Sequence, residues 1–375
     1  MRIQRITLRE IRLPLREPFR ISSGEVSARR ILLLELEEAG GAVGWSECVA
    51  DELPNYSPET VETAWLALRA WLAPRVLGRD FEHPRDIAAA LDRGVAGHRM
   101  AKAALEMGTW ELYARQCGQP LARVLGGERD RIEVGISLGI QASPDALVER
   151  ALAARERGYR RIKLKIEPGR DLEYVAAVRQ ALGTEATLSV DANAAYAPAD
   201  ADDLARLDEF GLAMIEQPLD REDLVRHAAL QRRLRTPICL DESITGADRV
   251  EDMLALGSGR IVNIKPGRVG GFTSSRAIHD LCARNNVPVW CGGMLESGIG
   301  RAHNVALASL PNFRYPGDLS PSDRYWERDI VVPEWTMDPQ GMVRVPLDRP
   351  GMGVELDSER IERVTVRRHV IVDAA

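Results

Sequence analysis

The sequence Ile162-Lys-Leu-Lys165 is the first of five short apolar segments that each end in a charged residue; the others are Leu188-Ser-Val-Asp191, Met214-Ile-Glu216, Ile238-Cys-Leu-Asp241 and Val262-Asn-Ile-Lys265. Their last residues are 26, 25, 25 and 24 positions apart. Segments that are apolar on both faces are typical of strands in a parallel sheet covered by helices. The regular step is the length of one strand and one helix, so this stretch predicts consecutive βα units.

Two more segments of the same kind, Val134-Gly-Ile-Ser137 and Pro288-Val-Trp-Cys291, extend the series on both sides. Seven or eight such units predict an α/β fold, a TIM-type (β/α)7β barrel with its active site at the C-terminal ends of the strands. A doubly wound open sheet is the alternative. Charged strand ends in unbroken chain order favour the closed barrel.

The flanking regions differ from this repeat and predict further structural units. Residues 1–125 begin with alternating, strand-like patterns and continue with amphipathic helical stretches, which predicts an α+β capping domain. Residues 126–325 hold the barrel repeat. Strand character returns near the C-terminus, so we expect residues 326–375 to form a segment that returns to the capping domain.

Composition excludes several classes of protein. The net charge of −6 gives no basic footprint for nucleic acid, and no apolar run approaches the ~20 residues of a membrane span. The N-terminus lacks the apolar core of a signal peptide. Five scattered cysteines without C-x-x-C spacing argue against a disulfide framework and a zinc site. We therefore expect a cytoplasmic protein that binds neither nucleic acid nor membrane.

Lysine is rare, since 46 of the 50 basic residues are arginine, and only Lys102, Lys163, Lys165 and Lys265 remain. Arginine stays protonated in proteins, whereas a desolvated lysine can release its proton. Three of the four lysines lie in predicted barrel strands, so we expect lysine bases whose pKa is lowered from about 10.4 toward ~7 to 8 by burial and neighbouring cations. For a single lysine, a packed stem with a solvated amine is the alternative. Lys102 lies outside these strands, and we expect Lys102→Arg to be silent.

Three carboxylates, Asp191, Glu216 and Asp241, end neighbouring strands at the same end of the predicted barrel. Converging carboxylates repel one another unless a cation neutralises them. Oxygen ligands without nearby His or Cys favour Mg²⁺, with Mn²⁺ as a substitute. For a lone aspartate, a helix N-cap is the alternative.

The lysines lie on the strands before and after this trio, and therefore on opposite sides of the predicted metal. A carboxylate substrate bound there would have its α-carbon between two amines. This arrangement predicts removal of an α-proton to give an enediolate that the metal stabilises. Two bases allow racemisation, whereas one base and a β-leaving group allow elimination.

These segments resemble the enolase superfamily and its muconate-lactonising subgroup, over essentially the whole chain. The matching motifs are Lys163-Leu-Lys165, Val190-Asp-Ala-Asn193, Ile215-Glu-Gln-Pro218, Leu240-Asp-Glu-Ser243 and Asn263-Ile-Lys-Pro266. Two later segments are similar to the branch of o-succinylbenzoate synthases and N-succinylamino acid racemases: Gly292-Gly-Met-Leu-Glu-Ser-Gly-Ile-Gly-Arg301 and Pro316-Gly-Asp-Leu-Ser-Pro-Ser-Asp-Arg-Tyr-Trp326.

The resemblance implies roles for individual residues. Lys165 would be the base, Lys265 the opposite base or a cation facing the intermediate, and Lys163 an electrostatic helper. The other implied groups are Mg²⁺ ligands at Asp191, Glu216 and Asp241, and supporting groups at Asn193 and Glu242. Gly292, Gly293 and Met294 would accept the succinyl end of the substrate, and capping-domain loops at residues 19–24 and 53–56 would close over it.

The implied activity is that of an o-succinylbenzoate synthase, a Mg²⁺-dependent dehydratase of menaquinone biosynthesis. The alternative within this branch is an N-succinylamino acid racemase that uses Lys165 and Lys265 on opposite faces. Dipeptide epimerases carry Asp-x-Asp where this chain has Asp318-Leu-Ser320, which argues against that activity. A Schiff-base aldolase and a non-catalytic binding protein are the rivals from other classes. We also expect the protein to be a homo-oligomer. Its small-molecule partner would be a carboxylate substrate with a succinyl arm.

Overall fold

The N-terminal part of the chain forms an antiparallel sheet covered by helices in the computed structural model, which describes residues 1–21 and 24–373. Its strands are β1 (Ile3–Ile21), β2 (Gly24–Glu38) and β3 (Val43–Cys48). Its helices are α1 (Val61–Ala67), α2 (Pro84–Asp92), α3 (Arg99–Gln116) and α4 (Leu121–Val124). Leu32, Leu34 and Leu36 of β2 are buried against these helices, and Leu33, on the other face of the strand, is buried in the core that includes the barrel strands.

A parallel sheet follows, with its strands adjacent in chain order, after the short strand β4 (Arg131–Glu133). Its strands are β5 (Gly135–Leu138), β6 (Arg161–Lys165), β7 (Leu188–Asp191), β8 (Ile215–Glu216), β9 (Ile238–Leu240), β10 (Ile261–Ile264) and β11 (Val289–Cys291). The helices of this region are α5 (Pro144–Glu156), α6 (Asp171–Leu182), α7 (Ala201–Arg206), α8 (Leu224–Arg233), α9 (Ala247–Leu256), α10 (Pro266–Val269), α11 (Phe272–Arg284) and α12 (Gly298–Ala308). All seven predicted segments are therefore strands of one sheet.

Residues 313–318 close this sheet into a barrel. Phe313 pairs with Val289 of β11, and Gly317 pairs with Val134 just before β5, both in parallel orientation. The Gly135 amide donates to the Gly317 carbonyl at 2.7 Å. One segment therefore bonds to both edges of the sheet, which confirms the (β/α)7β barrel and excludes the doubly wound alternative.

The C-terminal segment serves both parts of the molecule. Its elements are β12 (Val331–Val332), β13 (Met342–Arg344), β14 (Glu355–Leu356), α13 (Ser358–Val364) and β15 (Thr365–Val372). Strand β13 pairs with β4 beside the barrel, whereas β15 pairs antiparallel with β1. Only the last strand thus joins the N-terminal sheet, in the order β15-β1-β2-β3. The boundaries after residues 125 and 325 remain predictions.

Two buried glutamates of the N-terminal unit anchor it to the barrel. Glu106 of α3 accepts hydrogen bonds from the backbone amides of Phe272 and Thr273, at 2.7 and 2.9 Å, where α11 begins. Glu47 of β3 accepts from the Ser297 and Gly300 amides at the start of α12. Carboxyl oxygens at helix N-termini accept hydrogen bonds from amides that have no partner within the helix. These contacts hold the capping unit in place over the C-terminal ends of the strands.

Replacing Glu106 by alanine should lower the free energy of unfolding by about 3 kcal/mol, because it leaves buried amides of α11 without partners. Urea denaturation followed by circular dichroism measures the change. Glu251→Ala, on the exposed face of α9, is the matched control and should change stability by less than about 0.5 kcal/mol. Equal stability of the two variants would contradict the anchoring role.

No helix among the described residues, 1–21 and 24–373, has the length and apolar character needed to span a membrane.

Candidate active site

The charged strand ends meet at the C-terminal mouth of the barrel. Lys165 pairs in register with Asp191, and Asp191 with Glu216, across β6, β7 and β8. Asp241 follows β9 directly and Lys265 follows β10 directly. All five side chains are at least nine-tenths buried. The arrangement predicted from the spacing is therefore present.

Lys163 lies deepest of the three lysines and contacts several carboxylates. Its Nζ is 2.8 Å from Glu216 Oε2, 3.2 Å from Asp191 Oδ2 and 2.8 Å from Asp318 Oδ2. The ammonium group also lies 4.7 Å from the centre of the Trp290 ring. Three carboxylates around one ammonium group favour its charged form, which suits an electrostatic role better than that of a base.

Lys165 has fewer partners and lies nearer the opening. Its Nζ donates to Asp191 Oδ2 and to Asn193 Oδ1, both at 2.6 Å. Asn193 in turn donates to Glu242 Oε1 at 3.2 Å. The two predicted supporting residues are thus linked to each other and to Lys165, and Asn193 fixes the direction of the lysine side chain.

Lys265 lies on the other side of the carboxylate trio, bonded to Asp241 Oδ2 at 2.7 Å. Two residues that the sequence analysis does not single out share this corner. Tyr56 Oη is 3.2 Å from Lys265 Nζ and 3.0 Å from Asp241 Oδ1. The Arg268 guanidinium bonds to Asp241 and to Tyr56 Oη. Lys165 and Lys265 therefore flank Asp191, Glu216 and Asp241 from opposite sides.

Ion pairing, rather than burial, determines the charge of Lys163 and Lys265. Burial lowers the pKa of Lys163, but Asp318, Glu216 and Asp191 outweigh it and raise that pKa above its usual value. Burial likewise lowers the pKa of Lys265, and the Tyr56 oxygen and Glu216 raise it by more. The expected lowering of the lysine pKa is wrong for Lys163 and Lys265 in this arrangement, because the negative groups around each lysine raise its pKa by more than burial lowers it.

The pKa values of the two carboxylates Asp191 and Glu216 shift in opposite directions. Burial raises the pKa of Asp191, but Lys165 and Lys163 lower it well below its usual value. Burial and the charge on Asp191 raise the pKa of Glu216. Electrostatic repulsion between Asp191 and Glu216 is thus only partly offset by the ammonium groups. An added cation would reduce this repulsion.

The donor set fits a hard divalent cation. Asp191, Glu216 and Asp241 are all buried, offer only oxygen atoms, and end three consecutive strands. Within residues 1–21 and 24–373, no three acidic, His or Cys side chains are already close enough to hold an ion directly. The carboxylate oxygens of Asp191, Glu216 and Asp241 bond instead to lysine and arginine side chains, which an incoming cation must displace. The metal ligands therefore remain a prediction.

The loop after β11 brings the predicted substrate-binding glycines next to Lys265. A Cβ atom at Gly292 would lie 2.6 Å from Lys265 Cε, and one at Gly293 would lie 2.6 Å from the Asp318 carbonyl oxygen. A side chain at Gly293 would therefore clash with the backbone, and one at Gly292 would have to displace the Asn263 and Lys265 side chains. Met294 is buried against the core of the capping unit. Contact of these three residues with a substrate remains a prediction.

The described residues of both predicted capping loops lie at the barrel mouth. The loop at residues 53–56 places Tyr56 against Asp241, as above. In the other loop, the Ile140 amide after β5 donates to the Arg20 carbonyl at 3.1 Å. Residues 22 and 23 of that loop lie outside the described residues. Closure of both loops over a substrate remains a prediction.

Some functional candidates were missed because no pattern marked them. Gln217, between Glu216 and Pro218, accepts hydrogen bonds from the Asp241 and Ser243 amides and so joins two strand ends. Its place beside a predicted ligand was the available signal. Arg268 follows Lys265 by one helical turn, but in a chain with 46 arginines its type gave no signal. His303, a histidine without a predicted role, is buried against Phe272.

Comparisons with known proteins agree with this geometry. A model described as mandelate racemase / muconate lactonizing enzyme, N-terminal domain, matches residues 3–126, and one described as enolase C-terminal domain-like matches residues 146–361. An o-succinylbenzoate synthase of Geobacillus kaustophilus is 48% identical over 363 residues, which are 97% of this chain and 96% of that protein.

An N-succinylamino acid racemase of Thermus thermophilus is 49% identical over 369 residues, 98% of each chain. A solved structure of an enolase superfamily member from Listeria innocua matches with a TM-score of 0.95 at 40% identity, covering 99% of both chains. The chain thus belongs to the mandelate racemase / muconate lactonizing enzyme family of the enolase superfamily, in the branch that contains these synthases and racemases.

Proposed function

We propose that this protein is an o-succinylbenzoate synthase of menaquinone biosynthesis, which dehydrates a cyclohexadiene carboxylate after removing its α-proton. The observation that carries the proposal is the placement of Lys165 and Lys265 on either side of three buried carboxylates. The similarity to o-succinylbenzoate synthases over nearly the whole chain supports the choice of substrate.

The chain's own groups account for the proton transfer. Lys165 takes the α-proton, and Asn193 holds its amine in position. Lys163 and Lys265 present positive charge toward the oxygens on which negative charge develops. Asp191, Glu216 and Asp241 would hold a Mg²⁺ ion, which would supply further positive charge to stabilise the developing negative charge. Lys165 then also delivers a proton to the departing hydroxide.

The formal charges in the barrel favour an anionic substrate. Five acidic side chains at and below the mouth face five basic ones: Asp191, Glu216, Asp241, Glu242 and Asp318 against Arg161, Lys163, Lys165, Lys265 and Arg268. A bound divalent cation leaves two positive charges in excess when Lys165 is protonated, and one when Lys165 is neutral, as a base must be. Either excess favours an anion, and a ring carboxylate with a succinyl arm is a dianion.

A second activity, racemisation of N-succinylamino acids, is favoured by the same two lysines. Amines on opposite sides of an α-carbon can remove and return its proton on either face. N-succinylamino acids also carry two carboxylates, and N-succinylamino acid racemases are similar to the chain over its whole length. We infer that one site performs both reactions, with dehydration as the main one.

Assays of the purified enzyme with both substrates test this proposal. We expect dehydration and racemisation that EDTA abolishes and added Mg²⁺, or Mn²⁺ in its place, restores. Negligible turnover of both substrates would refute it. Trapping of substrate on a lysine by borohydride, without any metal requirement, would instead establish the Schiff-base aldolase, and binding without turnover the non-catalytic alternative.

Racemisation with two bases makes a separate prediction for the lysine variants in D₂O. Lys165→Ala should still exchange the α-proton of one enantiomer, and Lys265→Ala that of the other, because each variant retains one base. Proton NMR of each enantiomer measures the exchange. Loss of exchange from both enantiomers in both variants would contradict two opposed bases.

The cellular context accompanies this proposal. We infer a cytoplasmic enzyme, and the five unpaired cysteines are in keeping with a reducing compartment. A homo-oligomer with no nucleic-acid or membrane partner is part of the same proposal.

A further inference from the structure

Arg161 is an arginine enclosed within the barrel, below the mouth. It begins β6, so its side chain points to the same side as those of Lys163 and Lys165. The residue is 0% exposed, and its guanidinium lies 4.0 Å from the centre of the Trp290 ring. Gly135 on the neighbouring strand leaves it room, since a Cβ there would lie 3.1 Å from Arg161 Nε. A buried guanidinium needs a carboxylate partner.

Asp318 supplies that carboxylate, and its two oxygens bond to two different basic side chains. Its Oδ1 is 2.9 Å from Arg161 Nη2, and its Oδ2 is 2.8 Å from Lys163 Nζ. The backbone of Asp318 is held on both sides: its amide donates to the Cys291 carbonyl at 2.9 Å, and its carbonyl accepts from Arg301 at 2.8 Å. Both oxygens are occupied, so the carboxylate is a fixed internal group and does not face the substrate space.

Lys163 has a long flexible stem, and its direction depends on its partners. Two of its three carboxylates, Asp191 and Glu216, belong to the predicted metal site. An ammonium group bonded to them competes with a cation for the same oxygens. Asp318 is the one partner outside that site, and it offers the lysine another place to bond.

We propose that Asp318, anchored by Arg161, is a positioning residue that gives the ammonium group of Lys163 a bond outside the metal carboxylates and so weakens its competition with a divalent cation for Asp191 and Glu216. The inference rests on the metal assignment of the proposed function. It concerns binding of the cation rather than turnover.

Calorimetric titration of Mg²⁺ into chelator-stripped protein, without substrate, tests the inference. In Asp318→Asn the carboxylate charge is lost and Asp191 and Glu216 remain as the charged partners of Lys163, so we expect the Kd for Mg²⁺ to rise about 10-fold. The double variant Asp318→Asn/Lys163→Met lacks the competing ammonium group and should bind Mg²⁺ at least as tightly as the wild type. A purely structural role for Asp318 predicts no such recovery.

Two further variants complete the design. Lys163→Met alone should bind Mg²⁺ more tightly than the wild type, which keeps the test decisive should Asp318→Asn fold poorly. Asp323→Asn, an exposed aspartate of the same segment, is the matched control and should leave the Kd unchanged. An unchanged Kd in a folded Asp318→Asn, no recovery in the double variant, or no tightening in Lys163→Met would overturn the inference. If the wild type binds no Mg²⁺, the metal assignment itself fails, and the inference with it.

Discussion

Replacing Lys165 by arginine should lower the kcat of dehydration by about 10³-fold or more, because a positioned base contributes about 10² to 10⁴ and a guanidinium does not give up its proton. Arginine keeps a positive charge next to Asp191 and Asn193, so the fold and the acidic trio should survive. Product formation followed by ultraviolet absorbance gives kcat, and circular dichroism and the Tm report the fold.

The matched control for this variant is Lys102→Arg. Lys102 is also buried, but it lies on α3 and bonds to Asp92 at 2.7 Å and to the Val95 carbonyl at 2.6 Å, away from the carboxylate trio. We expect its kcat to stay within about 2-fold of the wild-type value, as for a substitution outside the site. More than a tenth of wild-type activity in Lys165→Arg would show that another group removes the α-proton.

The second large effect is expected for Glu216→Gln, which should reduce kcat by about 10³-fold, the scale on which electrostatic stabilisation by a bound cation acts. Glu216 lies between the other two acidic strand ends and is 0% exposed. Its oxygens accept from Asn263 at 2.7 Å and from Lys163 at 2.8 Å. Glutamine preserves size but replaces one acceptor oxygen by a donor and removes the charge.

Activity at increasing Mg²⁺ concentration separates the explanations for this loss. Because the ligand itself is gone, we expect saturating Mg²⁺ not to restore kcat. Glu222→Gln, an exposed glutamate in the loop after β8, is the control and should remain fully active. Wild-type activity in Glu216→Gln would remove Glu216 from the metal site and with it the three-carboxylate hypothesis.

Much of the barrel was predictable because its strands are short, apolar on both faces and evenly spaced. The period placed Asp191, Glu216, Asp241 and Lys265 at strand ends, and parallel strands necessarily bring such ends to one edge. The same reasoning did not find Tyr56 or Arg268. Tyr56 comes from the capping unit, far away in the chain, and its contact with Asp241 depends on how that unit docks.

The charge states were predicted less well than the positions. Burial alone suggests a lowered pKa for Lys265, but the structure places it near Tyr56, Glu216 and Glu242, and its pKa rises. Which lysine meets which carboxylate depends on distances of a few tenths of a nanometre between strands. Electrostatic energy varies steeply over such distances, and residue spacing along the chain carries no information about them.

The sequence by itself determined the order of βα units and the identity of the charged strand ends, because strand periodicity and local hydrogen bonding are properties of neighbouring residues. The family followed from the resemblance of its motifs. Only the tertiary structure decided the rest: closure of the barrel through residues 313–318, anchoring of the capping unit by Glu47 and Glu106, and the division of the Asp318 carboxylate between Arg161 and Lys163. Each of these includes a contact between groups more than 150 residues apart. Such contacts form only when the whole chain packs, since their energy depends on burial and distance in three dimensions.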